Sequence, residues 1–175
     1  LFIVVALFVL LFGAYLTYIP TVAESLGASE IEIGILLASM AVFFALSSSL
    51  LGLLTRQLSQ LTLIKISFSI YTLALVVTPA IDRIWILLIP SALFGVAHGI
   101  VYPVTQGLLA ELAPNHNRAG FMAVVAIATP LGQAIGPVLG GLAFSAWEMR
   151  GVFYAGTLLA IATLVLLNYL IPRTR

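Results

Sequence analysis

Charge is so sparse in this chain that its few charged residues act as punctuation. Between them lie uncharged runs at about 1–23, 33–55, 66–81, 84–110, 119–147 and 151–172. An α-helix crosses the hydrocarbon core of a bilayer with about 20 apolar residues, so each run predicts one membrane span. The third run extends back to position 61 if Lys65 lays its stem along the helix and keeps its ammonium at the interface. The predicted helices are therefore about 1–20, 32–55, 61–81, 84–111, 119–146 and 151–171. Composition agrees: 62% of residues are hydrophobic and 7% charged, against about 25% charged in a soluble domain. Mean hydropathy is +1.22. The expected fold class is all-α membrane, a single six-transmembrane-helix bundle over residues 1–175. Packing and backbone satisfaction, rather than a water-driven core, then decide the fold.

Short loops make neighbouring helices antiparallel. With the N-terminus inside, the loops after the second and fourth helices and the C-terminus carry Arg56, Lys65, Arg118, Arg173 and Arg175. The other face holds Arg83 and Arg150 among Glu24, Glu30, Glu32, Asp82 and Glu148. Basic residues concentrate on the cytoplasmic side, which predicts N-in/C-in. An internal echo supports an inverted 3+3 repeat. Phe12-Gly13 with Tyr18 and Pro20 in the first helix returns as Phe94-Gly95 with Tyr102 and Pro103 in the fourth. Three helices repeated once face opposite ways, as in secondary transporters.

The fifth run contains Gly132, Gly136 and Gly140 at i, i+4, i+8, followed by Gly141. They form one bare stripe on a helix, a place where a neighbouring backbone comes close. Pro137 cannot donate to the carbonyl of Gln133, nor Pro130 to that of Ala126. The stripe reads either as part of a conformational device or as packing and bending alone. In the fourth helix His98, Tyr102 and Gln106 share a face, with Ser91 and Gly95 near it. Such a stripe facing lipid is expensive, so it faces protein or a water-filled cavity. Tyr15 and Tyr18 in the first helix, at i, i+3, are set to face the same space, although Tyr18 beside Pro20 also suits an interface anchor. Gln133, with Thr129 nearby, adds an amide that needs a partner in lipid. Phenols, amides and an imidazole suit an amphipathic, partly aromatic substrate. His98 can change charge near neutral pH; its other reading is a hydrogen bond to a neighbouring helix. Hydroxyls such as Ser39 and Ser47 in the second helix read as bonded to their own backbone, and the third and sixth helices read as structural.

These motifs resemble a known family. Gly132-Gln133-Ala134-Ile135-Gly136-Pro137-Val138-Leu139-Gly140-Gly141 is similar to the tail of the antiporter motif in the fifth helix of drug-exporting major facilitator transporters. The family's leading glycine, nine positions before Gly132, is Ala123 here. The stretch from Glu111 to Arg118 resembles the family's E-x6-R element at the fourth-to-fifth helix junction. Arg56 stands in the second-to-third helix loop, where the family carries an acidic–basic pair; Thr55 occupies the acid's place. This weaker loop signature, and the basic ending, resemble the C-terminal half, helices seven to twelve of a twelve-helix protein. The resemblance implies alternating access, with first and fourth helices lining a central cavity. It implies proton-coupled efflux of small amphipathic compounds at a cell (inner or plasma) membrane, and an N-terminal six-helix half as partner beside lipid, substrate and protons. It also frames an inside-face clasp of Arg56, Glu111 and Arg118, whose plain alternative is ordinary loop charge and end-capping.

Other classes fit less well. The chain has no cysteine, so no disulfide framework or thiolate chemistry is available. A net charge of +1 without a basic patch argues against nucleic acid. Neither an intramembrane GxSG serine nor HExxH occurs, so an enzyme is not expected. One intramembrane histidine is too few for bis-His haem, and no cofactor or metal is expected. A sugar or organic-anion carrier of the same superfamily and a six-helix channel or scaffold protomer remain as alternatives. The opening residue, Leu1 inside an apolar run, reads as the start of a fragment.

Overall fold

The structure, a computed structural model, describes residues 2–114, 116 and 118–170. Arg173 and Arg175 of the basic tail, and Asn115 and Asn117 of the E-x6-R stretch, lie outside the described residues. Among the described residues the regular elements are all helical, without strands.

The first segment is α1 (Phe2–Leu10), a π turn over Leu11–Leu16, and α2 (Tyr18–Ser25). Pro20 explains the widened turn. It cannot donate to the carbonyl of Leu16, and the ladder slips by one residue up to that carbonyl. Gly27, at φ 83°, closes α2 in the left-handed conformation that glycine tolerates. The second segment is α3 (Glu30–Ser49), then α4 (Leu51–Gln57), interrupted at Leu50. A capping box starts α3: Ser29 N–H donates to Glu32 Oε2 at 2.8 Å, and Glu32 N–H donates to Ser29 Oγ at 3.4 Å. The third segment is α5 (Gln60–Val77), extended by a 3₁₀ turn at Thr78–Ala80; the fourth is a 3₁₀ turn at Ile84–Leu87 running into α6 (Leu88–Leu112).

The last element, α7 (Arg118–Leu170), holds 53 residues, about 80 Å if straight and far longer than a bilayer core. It is not straight. Trp147 (φ −141°, ψ 28°) and Glu148 (φ 54°, ψ −149°) are non-helical and break it. Gly140 in the limb before the break packs on Gly13 and Tyr18. Gly156 in the limb after it packs on Leu10 and Ala14. Both limbs lie against the same stretch of the first segment, so the chain reverses at Trp147–Glu148. The five helical stretches of membrane length therefore accommodate a sixth span.

Burial is uneven. Of the most apolar window in each segment, 65% is buried in the first and 56% in the fourth, but only 11% in the second. The first and fourth segments thus form the centre, with Leu7, Tyr15, Phe94 and Val101 fully enclosed beside Phe68 and Tyr71 of α5 and Phe153 of α7. Two close approaches hold this centre. A Cβ on Gly13 would stand 2.5 Å from the carbonyl oxygen of Gly136. One on Gly95 would overlap the carbonyl oxygen of Met40, and one on Gly99 would overlap Ser47 and Phe44. Glycine is required at these points because backbone meets backbone.

Candidate functional site

A cleft of about 430 Å³ opens between the first, second and fourth segments and the limb of α7 before the break (the fifth segment, 118–146), lined by Phe8, Met40, Ala41, Phe44, His98, Tyr102, Thr129 and Gln133. Helical spacing on α6 puts His98 and Tyr102 one turn apart on one face, and their rings stack at 5.9 Å and 5°. Phe94, a turn the other way, lies nearly parallel to His98 at 6.4 Å. Phe8 stands edge-on to both cleft rings, 6.1 Å from His98 and 5.7 Å from Tyr102. Phe44 closes on His98 from α3 at 5.8 Å. Edge-to-face and offset contacts are the favoured aromatic geometries, so the walls of the cleft are braced. From α5, the buried Tyr71 hydroxyl lies 2.6 Å from His98 Nδ1.

The polar groups of the cleft are unengaged. Among the described residues, the Tyr102 hydroxyl, Thr129 hydroxyl, Gln133 amide and His98 Nε2 have no hydrogen-bond partner. Most other serine and threonine hydroxyls of the helices behave differently. Ser39, Ser47, Ser67, Thr72, Thr78, Thr157 and Thr163 all donate to carbonyls of their own helix. Ser48 instead crosses between helices and donates to the carbonyl of Gly99 at 2.8 Å. That carbonyl is the one Pro103, inside α6, cannot serve. A freed carbonyl in lipid needs a donor, and Ser48 supplies it. Sequence reasoning passed over Ser48 and Tyr71; the available signal for Ser48 was the proline four residues after Gly99.

The remaining candidates lie elsewhere. Gln106 is half-buried, one turn beyond Tyr102, and does not line the cleft. Tyr15 is fully buried and stacks on Phe94 at 4.3 Å. Its hydroxyl and Ser91 Oγ are enclosed neighbours without good hydrogen-bond geometry. Tyr18 lies against the fifth segment, its ring 6.1 Å from Phe144. The two tyrosines part because the π turn ends between them and shifts the register, so positions three apart no longer share a face. Gly132, Gly136 and Gly140 press on Phe8, Gly13 and Tyr18 of the first segment, while Gly141 has room. Pro137 sits within this contact in α7. Glu111 accepts a hydrogen bond from Gln60 Nε2 at 3.1 Å; among the described residues no ion pair joins it to Arg56 or Arg118. Beside the stripe, a second, apolar cavity of about 220 Å³ lies between the first segment and both limbs of α7.

Over its whole length, residues 1–175, the sequence matches the Major Facilitator Superfamily. The chain belongs to that superfamily. Among its relatives is a triacylglyceride transporter of Mycolicibacterium hassiacum, 31% identical over 126 residues, covering 70% of this chain and 23% of that protein. A probable sugar efflux transporter of Helicobacter pylori is 24% identical over 146 residues, covering 83% of the chain and 37% of the relative. The quinolone resistance protein NorA of Staphylococcus aureus is 23% identical over 146 residues, covering 83% of the chain and 38% of NorA. The matched stretches cover less than two fifths of the length of each of these relatives, and the chain spans less than half of it. Major facilitator proteins are, as a superfamily, membrane-embedded transporters.

Proposed function

We propose that the chain is the C-terminal six-helix half of a twelve-helix secondary transporter that exports small amphipathic compounds by proton antiport. The cleft is this half's share of a midplane substrate site, completed by the N-terminal half and exposed alternately to the two sides. The observation that carries the reading is the convergence of unengaged polar groups within an aromatic frame: Tyr102, Thr129, Gln133 and His98 Nε2 between Phe8 and Phe44. A few polar groups in an apolar pocket are what a small-molecule site uses to orient its ligand. An inverted 3+3 repeat is supported by the two echo glycines. Gly13 of the first segment meets the fifth, and Gly95 of the fourth meets the second, the pairs that exchange when one triplet replaces the other. Glycines 132, 136 and 140 with Pro137 serve as the surface on which the first and fifth helices shift, and Arg56, Glu111 and Arg118 close the inside face in the outward-open state. Coupling protons are carried by the other half; in this half His98 contacts substrate.

Everted vesicles containing the full-length protein, energised by a proton gradient, test this reading. Addition of lipophilic cationic dyes is expected to dissipate the gradient, and His98→Ala or Gln133→Ala to abolish the response. The sugar carrier is the second reading, favoured by the hydroxyl and amide groups of Thr129, Tyr102 and Gln133 and by the sugar efflux relative. A gradient indifferent to dyes but dissipated by sugars replaces the first reading with the second.

A further inference from the structure

Tyr71 does not line the cleft, yet it decides what the cleft's imidazole offers. It is fully buried on α5, packed against Phe68 at 5.7 Å and Phe94 at 4.6 Å. Among the described residues its hydroxyl has one partner, His98 Nδ1, at 2.6 Å. A neutral imidazole carries its hydrogen on one nitrogen, and the bond made by the other selects which. If Nδ1 carried it, Nδ1–H would donate to the phenol oxygen and the phenolic hydrogen would be left in the core without an acceptor. If Tyr71 donates to Nδ1, both groups are satisfied and the hydrogen sits on Nε2. The hydrogen-bond network therefore assigns the second arrangement. The ring cannot turn away, because Phe94, Tyr102, Phe8 and Phe44 surround it.

The fully enclosed polar atoms without partners among the described residues are Tyr15 Oη, Ser91 Oγ and Thr105 Oγ1. His98 Nε2 also lacks a partner but is not enclosed, and the void that His98 borders is the cleft. We infer that Tyr71 is a positioning residue that presents His98 as an Nε2–H donor to the cleft, so that the site selects ligands bearing a hydrogen-bond acceptor, such as a carbonyl or ether oxygen, on an aromatic body. This rests on the reading that the cleft binds substrate. The aromatic rings supply the stacking surface, and the donor discriminates against ligands of the same shape that have no acceptor.

The test uses the full-length protein in nanodiscs, with two probes: benzophenone, an aromatic ketone, and tetraphenylphosphonium, which has no acceptor. Nitrogen NMR of ¹⁵N-histidine-labelled protein, assigned by His98→Gln, reads the tautomer directly. The expected result is a single Nε2–H form in the wild type and a mixture in Tyr71→Phe. Tyr71→Phe, which keeps the ring, should weaken the ketone's Kd roughly tenfold, the loss of about one hydrogen bond, and leave the phosphonium's Kd unchanged. Wild-type His98 with hydrogen on Nδ1, or Tyr71→Phe shifting both Kd values equally or neither, overturns the inference and leaves the cleft standing. His98→Ala without effect on either Kd removes the cleft as the binding site, and the inference with it.

Discussion

Ser48 and Gln133 are polar residues facing a membrane interior, yet the structure gives them opposite duties. Ser48 satisfies the Gly99 carbonyl that Pro103 leaves free; Gln133 lines the cleft with no hydrogen-bond partner among the described residues. Ser48→Ala should therefore destabilise the protein by about 1–3 kcal/mol, the cost of a buried acceptor left unsatisfied, seen as a lower melting temperature in detergent. Gln133→Leu should leave melting unchanged and raise the KM for substrate roughly tenfold in transport assays. Equal melting losses in the two variants would contradict this division. Spacing alone puts His98 and Tyr102 on one face and makes Gln133 a polar residue in search of a partner. It does not reach Tyr71, Phe8 or Phe44, because periodicity states which residues share a face of one helix but not which neighbour that face meets. Nor does it separate Tyr15 from Tyr18, since the π turn that does so follows from how Pro20 is accommodated in three dimensions.

At the scale of helices, the glycines divide by what they touch. A Cβ on Gly136 would stand 2.8 Å from the Gly13 nitrogen, whereas one on Gly34 or Gly107 would meet nothing within 4 Å. Gly136→Ala should cost about 1–3 kcal/mol by overpacking, and Gly34→Ala or Gly107→Ala should be neutral or gain up to about 1 kcal/mol from helix propensity. Thermal melting of the three variants checks the order. The stripe itself is legible in the sequence, but its partner is not: the first segment's Gly13 had no stripe of its own to announce the contact. The Trp147–Glu148 reversal is legible as a charged interruption of an apolar run. Its backbone is less expected, for Glu148 sits at φ 54°, ψ −149°, close to a region that favours glycine and costs other residues about 1–3 kcal/mol. Glu148→Gly should relieve this and raise stability by about 1 kcal/mol; a fall in melting temperature would show that the Glu148 side chain contributes more than its backbone costs.

For the molecule as a whole, the exposed surfaces and the charges bear on different questions. Ile35, Val42 and Leu46 on α3, and Val124, Ile127 and Leu131 on α7, are apolar and exposed, as befits surfaces that meet lipid or another membrane domain rather than water. That much follows from composition, since a chain with 7% charged residues has little polar surface to offer. Exposed apolar area has no sign, however, and cannot say which end of the bundle faces the cytoplasm. Only the uneven distribution of basic residues bears on it, and the orientation we propose from that distribution has the turn between α4 and α5 inside and the turn before α6 outside. The 175 residues lack cysteine, so single cysteines here report accessibility against a silent background once any elsewhere in the full-length protein are replaced. Gln57 and Arg83 are both exposed, near opposite ends of α5. Gln57→Cys should react with a membrane-impermeant maleimide in everted vesicles and not in intact cells, and Arg83→Cys should do the reverse. The opposite pattern would invert the bundle. It would leave the cleft and its aromatic frame unchanged, because those depend on helix packing and not on which side is in, but it would move Glu111 and Arg118 to the outer face and end their proposed role in closing the inner one.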